Sequence, residues 1–162
     1  MTTRKQLFIS SVQKELADDR RALKEYVHGD PLLRRFFEVF LFEDMPAADR
    51  RADEVYLHEV EQSAIYVGLF GNDYGYEDDE GISPTEREFD HATTRGTERL
   101  IFVKGNDDSA RHPKMLSLIR KAGDQLIRRR FGTVTELITS LYAALVQYLV
   151  ANVLIRGGPF DA

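Results

Sequence analysis

The sequence predicts an α/β protein of three layers: a five-stranded, mostly parallel sheet with helices on both faces. Three observations carry that prediction. Short apolar runs alternate with amphipathic stretches along the whole 162-residue chain, the pattern of strands separated by helices. The middle run, Ala64-Ile65-Tyr66-Val67-Gly68-Leu69-Phe70, is nearly all apolar, as suits a strand covered on both faces. Crossover connections between strands are right-handed and give parallel pairing, and five strands in this length fit the order 2-1-3-4-5.

The elements follow in turn. The first strand reads Gln6-Leu7-Phe8-Ile9-Ser10. A helical pattern from about Val12 to Val27 offers Leu16, Ala22, Leu23, Tyr26 and Val27 as an apolar face and stops at His28-Gly29. Asp30-Pro31 caps and opens a short helical turn before a second strand near Phe37–Leu41. Residues 42–52 read as a polar loop, and Asp53 as the N-cap of a helix reaching about Gln62. After the third strand come Gly71-Asn72-Asp73-Tyr74-Gly75-Tyr76 and an acidic loop through Gly81. Ser83-Pro84-Thr85-Glu86 then starts a helix: a serine N-cap, proline at the first helical position and glutamate closing a capping box, with Gly96 as the stop. The fourth strand, Arg99–Lys104, leads into a turn at Gly105-Asn106-Asp107-Asp108. Pro113 opens a helix to about Gln125, Leu126–Phe131 is a short basic edge strand, and Thr133 or Thr135 starts a last helix through about Asn152. Residues 1–154 are thus expected to form one domain, and residues 155–162, with Gly157-Gly158-Pro159, the start of a linker to a C-terminal effector. The flavodoxin-like strand order puts a ligand crevice where the chain reverses, at the C-terminal ends of the first and third strands.

Composition narrows the function classes. With 43% hydrophobic and 30% charged residues the chain is not wholly disordered. The absence of cysteine removes disulfides, thiolate catalysis and cysteine-based metal clusters, and suits a reducing cytoplasm. The start of the chain carries no signal-peptide pattern, and no continuous apolar run approaches a membrane span, so a cytoplasmic location without membrane association is expected. The net charge of −5 argues against direct nucleic-acid binding, but it conceals a polarity. Residues 38–90 hold sixteen acids against three arginines, a net of −13, whereas residues 95–130 hold ten basic residues against four acids, a net of +6. The two stretches are either solvated faces or two rims of one cleft.

Two groups converge on the expected crevice. Ser10 and Ser11 follow the first strand; Gly68, Gly71, Asn72, Tyr74 and Gly75 end or follow the third. Glycines let a backbone approach a ligand, and hydroxyls at a helix start bind phosphate or ribose oxygens, although Ser11 would equally serve as a helix N-cap. Glu86 is explained by its capping box with Ser83, whereas Glu88, about 200° around the helix, is free to face the crevice. There a carboxylate orients a ribose hydroxyl or attacks an anomeric carbon; otherwise it is a first-turn acid favoured by the helix dipole. The four histidines have no metal-ligand spacing, so no metal and no cofactor is expected. Arg128-Arg129-Arg130 reads as a charged edge or as one or two arginines near the rim, and Arg50 and Arg51 are similarly placed. Neither a nucleophile elbow nor a GxxxxGK[ST] phosphate loop is present.

The segments Phe8-Ile9-Ser10-Ser11-Val12-Gln13-Lys14-Glu15, Tyr56–Val60, Tyr66–Gly75, Ser83–Phe89 and His112–Met115 resemble a large family of microbial N-terminal domains of unknown function, as does the closing Gly158-Pro159-Phe160-Asp161. That family commonly precedes ATP-binding transcriptional-regulator modules or signalling NTPases. More remotely the chain is similar to Toll/interleukin-receptor (TIR) domains and nucleoside deoxyribosyltransferases, in which a helix glutamate acts on an N-glycosidic bond. Glu88, with Ala92 four residues on, matches their Glu-x-x-x-Ala pattern, but the transferase Asp-x-Gly-Thr-x-x-Glu motif is replaced by the acidic loop from Asp73 to Gly81. The resemblance implies a TIR-like sensory or signalling module. It would bind a nucleotide or NAD-type ligand, or self-associate, and regulate a fused effector. An N-glycosidase or ribosyl-transferring enzyme using Glu88 is the alternative, with Ser10, Ser11, Gly68, Gly71, Asn72, Tyr74 and Ser83 as ligand contacts; a plain interaction scaffold is the third reading.

Overall fold

The structure, a computed structural model, describes residues 3–156. Strands β1 (Lys5–Ser10), β2 (Phe37–Phe40), β3 (Ile65–Phe70), β4 (Glu98–Lys104) and β5 (Arg128–Phe131) form one sheet in the order β2-β1-β3-β4-β5. Every neighbouring pair is parallel. The helices are α1 (Ala17–Gly29), α2 (Leu33–Phe36), α3 (Ala52–Gln62), α4 (Pro84–Arg95), α5 (Pro113–Gly123) and α6 (Val134–Ala151), with a single 3-10 turn at Phe42–Asp44. The expected architecture is the observed one.

Alternation along the strands builds two cores. Leu7, Ile9, Ile65, Val67 and Leu69 face α1 and α6, where Leu23, Val27, Leu137, Leu141, Leu145 and Leu149 close the layer. Phe8, Tyr66, Phe70, Ile101 and Val103 face the opposite way, onto Phe89 and Ala92 of α4 and Met115 and Leu118 of α5. All six residues of β3 are buried, which accounts for its unbroken apolar run. Burying each such side chain contributes about 1.5–3 kcal/mol. Ser10 and Gly68 are register partners at the ends of β1 and β3. Both point toward α4, so the polar end of β1 lies beneath the helix that carries Glu88.

Several boundaries differ from the sequence reading. Helix α1 starts at Ala17 and not near Val12, because Gln13–Leu16 form a turn and the Glu15 carboxylate turns away to accept the Asn72 and Asp73 backbone N–H groups at 2.8 and 3.1 Å. Ser11 is therefore not its N-cap. Asp53 lies inside α3; Arg51 occupies the cap position, and the Asp53 carboxylate holds the Arg51 guanidinium. Ser83 does cap α4, accepting from the Glu86 N–H at 3.2 Å, and Gly96 ends that helix with φ 70°. Helix α6 meets the length and composition of a membrane span, a test that a core helix also passes, and its Leu137, Leu141, Leu145 and Leu149 are buried against the sheet. Thr, Ser, Tyr and Gln interrupt its run without adding charge after Glu136. Past its end Val153 takes a left-handed φ of 56°, letting the Leu154 N–H reach the Leu149 carbonyl at 2.8 Å. Leu154 and Ile155 pack against the core, and residues 157–162 of the expected linker lie outside the described residues.

Candidate functional site

Glu88 sits in the first turns of α4 but is only 7% exposed, because the helix lays this side of itself on the end of β1. The Ser10 hydroxyl, fully buried, donates to Glu88 Oε1 at 2.6 Å. Among the described residues that is the one hydrogen bond its carboxyl group receives. Burial pushes the Glu88 pKa up from 4.5 to about 8, only partly opposed by the Ser10 bond and by the positive charge of Arg20. At neutral pH the group therefore keeps its proton. Below it lies Tyr66, completely buried, whose hydroxyl has no hydrogen-bond partner among the described residues. Burial, then the Glu88 charge, drives its pKa well above the ordinary value.

Glu88 lines a cavity of about 250 Å³ together with Ser11, Gly75, Thr85 and the aromatic pair Phe42 and Tyr56. Those two rings meet edge to face at 6.4 Å, giving the cavity an apolar aromatic corner. Tyr56 and Tyr76 also line a second, more open cavity of about 490 Å³, whose other walls include Arg51, Asp53, Asp78 and Asp79. The cleft thus has an apolar inner chamber with a carboxyl group and an acidic outer chamber, joined at two tyrosines. Gly75, with φ 90°, makes the turn that brings Tyr76 over the mouth.

The remaining expected site residues separate into four fates. Ser11 lines the inner chamber, but its hydroxyl is also an acceptor for Arg20 at 2.9 Å. Gly68 is a packing position: a Cβ there would meet Ile101, Tyr66 and Phe70 at 2.9–3.1 Å. Gly71 and Asn72 lie on a different depression, beside Glu15 and Lys104, and a Cβ on Gly71 would collide with the Glu15 carboxylate. Tyr74 and Ser83 serve the helix start. Ser83 donates its N–H to the Tyr74 oxygen at 3.2 Å, and Tyr74 donates to Glu86 Oε1 at 2.6 Å. The reciprocal arm of the expected capping box thus runs through a tyrosine, and Lys121 takes the other oxygen of Glu86. Of the predicted contacts, Ser11 and Glu88 line the chamber, Ser10 lies buried behind Glu88 and holds its carboxyl group, and Gly68, Gly71, Asn72, Tyr74 and Ser83 lie outside the chamber.

Arg20 is the main participant that sequence reasoning missed. It is 1% exposed, holds Glu43 through two contacts of 2.7 Å, and donates to the Ile9 carbonyl and to Ser11. Burial opposes ionisation of Glu43, but the Arg20 guanidinium outweighs it and the carboxyl pKa is lowered. The pair fixes the 3-10 turn that presents Phe42. One signal for Arg20 existed: it occupies a core position in the helical series Leu16, Arg20, Leu23, Val27. Arg50, by contrast, lines a separate depression, and Arg130 binds Gly105 and Asp108 away from Glu88. His91 pairs with Glu61, not Glu88, His58 bonds Gln62, and no group of three metal-ligating side chains occurs among the described residues.

The family model described as Domain of unknown function (DUF4062) matches residues 6–146. The chain belongs to this family. No curated protein matches it. Among solved structures, this DUF4062 domain is similar to the CMP N-glycosidase BcmB of Clostridium botulinum, with a TM-score of 0.56 and 8% identity over 86% of this chain and 99% of that one. Oxidised flavodoxin 1 of Bacillus cereus aligns with a TM-score of 0.49 and 14% identity, over 91% of this chain and 99% of that one. At 8% identity the likeness to the N-glycosidase is one of fold.

Proposed function

We propose that this DUF4062 domain binds a nucleoside-type ligand in the inner chamber and cleaves its N-glycosidic bond with Glu88. The single observation that supports this reading most is the Ser10–Glu88 pair at the base of an aromatic-walled cavity. A chamber of about 250 Å³ suits a furanose ring with the base against Phe42 and Tyr56. In the ionised form, Glu88 would attack the anomeric carbon as the carbon–nitrogen bond breaks. The bonding pair leaves with the base, which takes up a proton, and water then displaces the carboxylate and gives up its own proton. Ser10 holds one carboxyl oxygen so that the other faces the sugar. The fold similarity to an enzyme described as a CMP N-glycosidase is consistent with this chemistry.

A second reading keeps the ligand and drops the turnover: a sensory module that regulates a fused effector or self-associates. One observation favours it, for Glu88 is the only carboxyl group lining the inner chamber among the described residues, so no second acid stands ready to protonate a leaving base. Incubation of the purified domain with nucleosides, nucleotides and NAD, following base release by chromatography, separates the two. Release abolished by Glu88→Gln supports the enzyme. Ligand-induced thermal stabilisation without release supports the sensor, and neither response at high protein concentration defeats both.

A further inference from the structure

The outer chamber carries information about the ligand that the inner chamber does not. No lysine or arginine lines the inner chamber among the described residues, and Arg51 is the one cation lining the outer. Arg51 is not free, since both of its contacts, at 3.0 Å, go to Asp53. The nearby loop cations are also committed: Arg87 to Asp78 and Glu80, and Lys114 to Glu77. Against these three cations stand Asp53, Glu77, Asp78, Asp79 and Glu80, a net of 3 − 5 = −2 around the mouth. Asp79 is exposed, lines the outer chamber and makes none of the ion pairs found there. At the start of α4, Pro84 has no N–H and the Glu86 N–H is taken by Ser83, which leaves the Thr85 N–H as the one uncommitted backbone donor of the first turn, too little to offset the charge of a phosphate. A phosphate in this cleft would meet more carboxylates than cations, and each of those cations already holds an acidic partner.

We infer that the cleft selects N-ribosides that carry no phosphate and, among them, favours those with a cationic base. The inference rests on the ligand reading above. The ribose occupies the apolar chamber at Glu88, the base lies along Tyr56, and a positive charge on the base is drawn toward Asp79 and the aromatic faces at the mouth. The acidic loop that stands in place of the transferase motif thereby becomes the element that sets ligand charge.

The test is a calorimetric comparison of matched pairs, nicotinamide riboside against nicotinamide mononucleotide and cytidine against cytidine monophosphate. It uses the intact chain, with Tyr56→Ala as the control that binding occurs in the cleft. The unphosphorylated member of each pair is expected to bind roughly ten-fold tighter or more, with nicotinamide riboside the best of the four. Raising the salt from about 0.05 to about 0.5 M shrinks the preference through screening. Asp79→Lys, an exposed change, reduces it several-fold while leaving the melting temperature unchanged. Monophosphates that bind as tightly as their nucleosides, with sensitivity to Tyr56→Ala, overturn the charge selection and leave the ligand reading intact. Absence of binding by all four compounds overturns both.

Discussion

At the scale of single residues, the chemistry rests on how far Glu88 is held from its ordinary ionisation. Its folded-state pKa of about 8 lies above the ordinary 4.5, so across that interval the folded chain retains a proton that the unfolded chain releases. Stability drawn from the group is therefore intact below pH 4.5 and is lost as the pH rises through about 8. Glu88→Gln, which keeps the shape and an acceptor for Ser10, should match the wild type in melting temperature near pH 4.5. It should gain a lead that widens to roughly 10 °C by about pH 8 and then levels off. Thermal denaturation across a pH series checks this, and a constant offset would refute a buried, protonated Glu88. If the domain is an N-glycosidase, its kcat/KM should rise over the same interval, because attack needs the carboxylate. Glu88 and Ser10 were legible in the sequence because strand end and helix start are local patterns. Arg20 and Tyr66 were not, since an arginine in an apolar helical series and a tyrosine in an apolar strand reveal their burial only once the opposite layer is in place.

At the scale of elements, the helix starts and ends that rest on short-range bonds were readable, and those that rest on distant partners were not. Ser83-Pro84 marked α4 correctly, yet the Glu86 carboxylate goes to Tyr74 and Lys121, residues 12 and 35 positions away. Glu15 left the expected first turn of α1 for backbone groups 57 and 58 residues on, and took Gly71 and Asn72 with it into a separate depression. The end of α6 offers a test of local strain. Val153 occupies the left-handed position of a helix-ending motif that usually takes glycine, with the Leu154 and Val153 N–H groups bonding Leu149 and Val150. A β-branched residue there costs about 1–2 kcal/mol, and its side chain is 79% exposed, so little packing is lost on removing it. Val153→Gly should raise stability by about 1 kcal/mol in urea denaturation, whereas a loss would show that Val153 makes contacts that outweigh the strain.

At the scale of the whole molecule, β3 is the shared wall of two cores, so damage to it is felt on both faces of the sheet. Gly68 tests this. Its alanine variant would press on Ile101, Tyr66 and Phe70 and should cost about 1–3 kcal/mol. Unfolding followed by far-ultraviolet circular dichroism and by tyrosine fluorescence should shift together, because both layers lean on the same strand; separated transitions would mean that the two cores melt independently. The strand order was readable from the alternation of periods and the crossover rule, but the placement of charge along that order was visible only after folding. The stretch from residue 38 to 90 begins at the β2 edge and runs through α4, while residues 95–130 fill the β4–β5 side. The sheet order therefore converts a pattern along the chain into an electric dipole lying across the strands. Such a molecule turns before it lands: near an anionic body it presents the β5 edge, near a cationic one the Glu88 mouth, and the field decides which end of the sheet arrives first.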